Sequence, residues 1–209
     1  SARVGGVAVL VALLLGIPLG CIAAMHRGKF LDNLISVIST CGIAVPSFVI
    51  CTVLMYFLGV HLKILPTYGL TSWKHYVMPV MALSFYPMAY IMRLMRSSML
   101  DVLGQDYMRT CKAKGVSQAV SIFKHALRNA ILPVITYVGP MLAYTLTGSF
   151  VVEKIFTIPG LGGEFIGSIS SRDYTVIMGT TIFLATLLIV MNVIVDIIYK
   201  IVDPRIKLN

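Results

Sequence analysis

The residues of this sequence that could do chemistry are few, and most of them are cations. Its four histidines, His26, His61, His75 and His125, share no ligand spacing, and Cys21, Cys41, Cys51 and Cys111 form no CxxC pair. Neither a metal site nor a disulfide is expected from them. There is no G-x-x-x-x-G-K-[ST] loop to cradle a nucleotide, no G-x-S-x-G elbow and no H-E-x-x-H pair. What remains is a basic interval in which Arg109, Lys112, Lys114, Lys124, His125 and Arg128 are threaded with Val116, Ala119, Val120, Phe123 and Leu127. Those apolar residues recur at three- and four-residue steps, so they share one face of a helix. Ser117, Gln118, Ser121, Lys124 and Arg128 fall mostly on the other face. Gly115 permits a turn between two short helices. This is the chemistry of binding, not of bond-making. The residues alone leave two partners open, an anionic membrane surface or a protein in the cytoplasm.

The elements that position this interval are long apolar runs. The 209 residues are 58% hydrophobic and 12% charged, with a mean hydropathy of +0.91; soluble domains are roughly 45–50% apolar and about 25% charged. Five runs, at about 4–25, 34–58, 77–99, 130–150 and 175–199, are long enough to span a bilayer, which takes about 20 apolar residues. Pro46 sits in the middle of the second and is expected to kink it. Trp73 and its tyrosine neighbours read as interfacial anchors. If 26–33, 93–128 and 200–209 share one side, that side holds twelve of the seventeen basic residues. Cytoplasmic loops carry the excess of Lys and Arg, so the 104–128 loop and the C-terminus are expected inside and Ser1 outside. The net charge of +9 is explained by this topology better than by nucleic-acid binding.

Outside the basic interval, the candidates are thinner. The glycine-rich stretch 151–174 holds Glu153, Lys154, Pro159, Gly160, Gly162, Arg172 and Asp173. Non-helical backbone at membrane depth survives only when buried in protein or lining a cavity, so this stretch is expected to be an extracytoplasmic gate or a surface that receives a partner. Tyr137, Tyr144, Thr145 and Thr147 put hydroxyls on the fourth run; they fit a polar pathway or helix–helix hydrogen bonds equally well. Asp196 lies four residues before Lys200, and an i,i+4 pair at the helix end is the expected role. Arg93 and Arg96 are expected to snorkel to the interface.

The interval 106–133, DYMRTCKAKGVSQAVSIFKHALRNAILP, resembles the cytoplasmic loop of the membrane-spanning subunits of binding-protein-dependent ABC importers. The usual pattern there is E-A-A, three residues, Gly, nine residues, I-x-L-P. Here Arg109-Thr110-Cys111 stands at E-A-A, Gly115 matches the glycine, and His125-Ala126-Leu127-Arg128 stands at I-x-L-P with Leu127 alone retained. RTCKAKG and KHALRNAILPV, GIAVPSFVI at 42–50, VVEKIFTIPGLG at 151–162, RDY at 172–174 and NVIVDIIYKIVDPRIK at 192–207 are similar to the oligopeptide, dipeptide and nickel permease branch, most of all to its oligopeptide B-type subunits. The resemblance covers nearly the whole chain.

The resemblance implies an all-α, polytopic ABC-importer permease in the bacterial cytoplasmic membrane, one domain over 1–209. It implies a preceding sixth span in the full-length protein, a coupling loop at 104–128 and a gate at 151–174. Arg109, Lys112, Gly115, Val116, Ser117, Val120, Phe123, Lys124 and His125 would then meet a cytoplasmic ATPase. A well-packed helix anchored by Phe123 would transmit its motion. The implied partners are a second homologous permease, two ATPases carrying the ATP and Mg, and an extracytoplasmic solute-binding protein; no cofactor and no catalysis belong to this chain. Short peptides are the expected cargo. Nickel or another small solute remains the alternative, followed by an ion-coupled secondary transporter and, outside transport, a membrane-anchored scaffold or intramembrane enzyme.

Overall fold

A computed structural model of the chain describes residues 1–147 and 149–202, apart from the side chains of Thr147, Tyr199 and Val202. It is helical, with no strand among the described residues. The first helix, α1 (Ala2–Met25), is apolar all round, as a helix buried on some faces and bathed in lipid on others must be. It ends where Gly28, at φ +74°, turns the chain. Next come α2 (Phe30–Ala44) and α3 (Ser47–Leu54), which continues as a π-helical turn over Met55–His61.

Between α2 and α3 the chain is broken, not kinked: the two halves meet at 104°. Val45 (ψ 122°) and Pro46 (ψ 144°) are both extended. Proline drives the residue before it out of the helical region, and a β-branched valine follows that preference readily. The expected second span is therefore a bent pair.

The longest helix, α4 (Lys74–Leu103), keeps Pro79 and Pro87 inside it. The basic loop follows as α5 (Asp106–Ala113), α6 (Gln118–Val120), a π-helical turn over Ser121–Ala126, and α7 (Leu127–Ala130). The chain then returns along α8 (Leu132–Thr147), turns through α9 (Phe150–Ile155) and α10 (Leu161–Ser171), and leaves on α11 (Tyr174–Val202). Among the described residues, four stretches are long and apolar enough to cross a membrane: Ala2–Met25, Lys74–Leu103, Leu132–Ile155 and Tyr174–Ile198. The bent pair makes a fifth if it crosses as one.

Packing centres on α1 against α4, flanked by α2 and α8, with α11 laid on α8. The seam between α1 and α4 is made of small residues. A Cβ on Gly16 would lie 2.8 Å from Ile91 Cγ2, and one on Gly20 would lie 2.7 Å from Met95 Cβ. Backbones approach this closely in membranes because lipid gives no hydrophobic drive between helices, leaving van der Waals contact to hold them. One apolar cluster joins α1, α4 and α8 to the basic loop; a second joins α1, α3, α4 and α9 at the opposite end. On α11, Val195 is the one buried residue among those described.

Candidate functional site

The basic loop is built outward from the end of α4. Met95 and Met99 of α4, Met108 of α5, and Ile122, Ala126 and Ala130 belong to one buried cluster. Across it, Asn129 Nδ2 donates to Tyr107 Oη at 2.9 Å and to the His125 carbonyl at 3.2 Å, tying α5 to α7. Gly115 sits between the two short helices at φ +71°, with nothing within 4 Å of a Cβ built there. Conformation, not space, demands glycine at this turn. Ser117 Oγ accepts from Val120 N–H at 3.5 Å and caps the second helical stretch.

The buried face of this stretch is not the one that spacing suggests. Ile122 and Ala126 are inside, while Val120 is 43% and Phe123 is 70% exposed. None of the five stripe residues is buried: Ala119, Val120 and Phe123 are exposed, Val116 and Leu127 half-buried, and the helix widens into a π-helical turn over Ser121–Ala126. Val116 and His125 are half-buried; Arg109, Lys112, Ser117 and Lys124 are exposed. Arg109 is 3.6 Å from the Asp106 carboxylate. Between the loop and the end of α1 lies a cavity of about 670 Å³, bordered by Met25, Leu103, Met108, Arg109, Lys112 and Ile122. The loop is anchored on one side and hollow on the other.

Beside the loop, the 26–33 turn is pinned to α4. Asp32 is buried and accepts a forked pair from Arg96, at 2.5 Å from Nε and 2.8 Å from Nη2. Gly28 N–H donates to the same carboxylate at 2.8 Å. A bidentate guanidinium–carboxylate pair fixes orientation as well as charge. Arg96 therefore does not snorkel; it holds two elements together. The 64-residue gap between the partners leaves no periodic signal from which the pair could be read.

The opposite end is turned inward. Glu153 on α9 is 5% exposed. Its carboxylate accepts from Ser1 Oγ and, at 3.0 Å, from Gly163 N–H; Ser1 Oγ in turn accepts from Leu161 N–H at 3.0 Å. A side chain on Gly160 would collide with that carboxylate, and a Cβ on Gly162 would lie 2.8 Å from the Phe150 nitrogen. The glycines serve close approach. They do not prevent helix formation: Gly160 precedes α10, and Gly162 lies within its first turn. Lys154 and Pro159 face outward. Arg172 ends α10 in the left-handed region at φ +58°, and Asp173 Oδ1 caps α11 by accepting from Thr175 and Val176 N–H at 3.1 and 3.2 Å.

Among the hydroxyls assigned to a pathway, Thr145 is spent on the Met141 carbonyl at 2.5 Å. Tyr144 is 60% exposed, and the Thr147 side chain lies outside the described residues. Tyr137 packs on Tyr90 with ring centroids 4.4 Å apart, and Tyr90 stacks on Tyr86 at 6.4 Å. Tyr86 and Tyr90 went unnoticed in the sequence; their i,i+4 spacing around Pro87 was the available signal. Asp196 is exposed on α11 and, among the described residues, forms no ion pair with Lys200.

Residues 16–208 match the family model described as binding-protein-dependent transport system inner membrane component. The chain is 51% identical over 209 residues to the dipeptide transport system permease protein of Bacillus subtilis (strain 168), matching 100% of this chain and 68% of that protein. It is 41% identical to the oligopeptide transport system permease protein of Haemophilus influenzae, matching 99% and 68%. Among solved structures, an inward-facing form of the MetNI methionine ABC transporter is similar in fold, with TM-score 0.75, 18% identity and coverage of 96% and 92%.

Proposed function

Since this chain belongs to the family of binding-protein-dependent transport system inner membrane components, we propose that it is a permease subunit of an ATP-driven importer of short peptides in the bacterial cytoplasmic membrane. In this reading it pairs with a second, similar permease. Two ATPases carry the ATP and Mg inside, and a solute-binding protein delivers peptide outside. The C-terminus is cytoplasmic, in line with the basic excess on the 26–33 and 93–128 segments. Dipeptide and oligopeptide permeases among the relatives support peptides over nickel. A glutathione transport system permease protein of Escherichia coli (strain K12), 40% identical over 196 residues, extends the same chemistry to a tripeptide.

The observation that carries the mechanism is the pair of uncovered apolar side chains, Val120 and Phe123, on a loop rooted in the core by Met108, Ile122 and Ala126. An aromatic side chain left this exposed is a ready anchor for a partner groove. In this role Arg109, Lys112, Lys124 and His125 surround the anchor with positive charge, and Gly115, Val116 and Ser117 shape its approach. Closure of the ATPases would pull this loop and rock α4 and α8. Moving such an equilibrium from 1:99 to 99:1 takes about 5.5 kcal/mol of differential binding, and the buried cluster of Met108, Ile122 and Ala126 supports a loop able to transmit it. At the other end, Lys154, Pro159, Arg172 and Asp173 offer the surface for the binding protein, while Glu153, Gly160 and Gly162 close the gate behind them. Tyr137 and Tyr144 line the way between; Thr145 supports the α8 backbone.

The test is reconstitution. The full-length protein, purified with its partners and placed in liposomes with ATP inside and loaded binding protein outside, should accumulate labelled dipeptide. Uptake that ignores ATP and follows an ion gradient would instead mark a secondary transporter.

A further inference from the structure

We propose that Tyr86, Tyr90 and Tyr137, with the carbonyls of Leu83 and Thr136, form a mid-membrane site that binds the amide backbone of the passing peptide. The inference rests on the importer reading and adds to it which chemical group is recognised, and where.

Depth is the first observation. Tyr86 lies ten residues along α4 from Tyr76, beside the interfacial Trp73. At 1.5 Å per residue that is about 15 Å, the middle of a hydrocarbon core about 30 Å thick. Tyrosines belong to interfacial belts, not to the midplane. Yet Tyr86 and Tyr90 are 48% and 36% exposed, and Tyr137 of α8 packs directly on Tyr90. None of the three hydroxyls hydrogen-bonds to another described residue. Left against lipid tails, each would cost several kcal/mol, so this face meets something polar.

The second observation comes from proline chemistry. Pro87 and Pro140 lie within α4 and α8. Neither has an N–H, so the carbonyls four residues earlier, Leu83 and Thr136, receive no hydrogen bond from those positions. Thr136 immediately precedes Tyr137, and Leu83 lies three residues, under one helical turn, before Tyr86. The patch therefore combines three hydroxyls, which donate or accept, with two freed acceptors. No charged residue occurs from Tyr76 to Met92 or from Leu132 to Thr147. A site with donors and acceptors but no charge matches the amides common to all peptides and ignores the side chains that distinguish them. Leaving side-chain selection to the binding protein follows from that composition.

The experiment uses the complete assembly in liposomes. A short peptide with a backbone-attached diazirine is photolysed during ATP-driven uptake, and the permease is mapped by mass spectrometry. Label is expected within 83–90 and 136–140. In the Tyr90→Phe/Tyr137→Phe double variant, peptide imported per ATP hydrolysed should fall about five- to tenfold, by the same factor for acidic, basic and apolar peptides, with assembly unchanged. Unchanged uptake, a loss confined to peptides of one side-chain type, or label confined to other helices would each overturn the site, the last assigning these tyrosines to packing against a second permease. Absence of ATP-driven uptake by the unmodified assembly would instead reject the importer reading beneath it.

Discussion

In the 104–130 loop, Val120 and Phe123 stand away from the protein at 43% and 70% exposure; in 149–173, Glu153 is turned inside at 5%. Both intervals are polar interruptions of similar length between apolar helices. One buries Met108, Ile122, Ala126 and Ala130 and shows Val120 and Phe123. The other buries one carboxylate, Glu153, against Ser1, Gly160 and Gly163 while Lys154, Glu164, Arg172 and Asp173 stay exposed. The docking role proposed for the first interval fits apolar surface that its own fold leaves uncovered. The gate role proposed for the second fits a buried carboxylate supplied with donors from within, since one without donors is costly. The difference between the two intervals lies in which residues are covered, not in composition.

The comparison is most easily broken at Phe123. Phe123→Asp should lower peptide uptake at least ~100-fold, a loss of about 3 kcal/mol at an interface anchor, while thermal unfolding of the isolated chain stays within about 0.5 kcal/mol. Uptake that survives would remove the docking role. Next in size is Asp32→Asn, which strands Arg96 beside α2 and should cost about 3 kcal/mol in a detergent unfolding assay. Replacing both partners by leucine should recover much of that loss; a double variant as unstable as the single would mean that packing and not charge holds the turn. Glu153→Gln keeps one acceptor and loses another, so a drop of about 1–2 kcal/mol is expected, against no change for the exposed neighbour Lys154→Gln. Equal effects at the two positions would show that the inward turn of Glu153 counts for nothing. Smallest is Arg172→Gly, which relieves a left-handed residue and should raise stability by about 1 kcal/mol.

The helical class and the long spans were legible because membrane helices need about 20 apolar residues and say so plainly. Gly115 was legible as a turn for a local reason, its backbone conformation. The bend at Pro46 was legible in place but not in size, because two extended residues, not one missing hydrogen bond, set the 104° angle. The apolar stripe of the loop was legible from its spacing, but the burial of Ile122 and Ala126 beside it was not, because that depends on the α4 residues they meet. Asp32 with Arg96, and Glu153 with Ser1 and Gly163, join residues far apart in sequence; spacing rules see three or four residues and stop. Asp196 shows the reverse failure, since Lys200 is at the right spacing and no ion pair forms.

The glycine and alanine seam between α1 and α4 has a mechanical consequence. Long side chains at a helix interface act as cushions, absorbing a displacement by changing rotamer. Gly16 and Gly20 supply none, and the backbone of α1 rests directly on Ile91 and Met95. The two helices behave as one strut, about 45 Å long along the 30 residues of α4. The same strut carries the Arg96 clasp and the root of the basic loop near one end, and at the other Ser1, which holds Glu153. In the importer proposed above, a push on the loop would reach the Glu153 end with little lost to bending on the way.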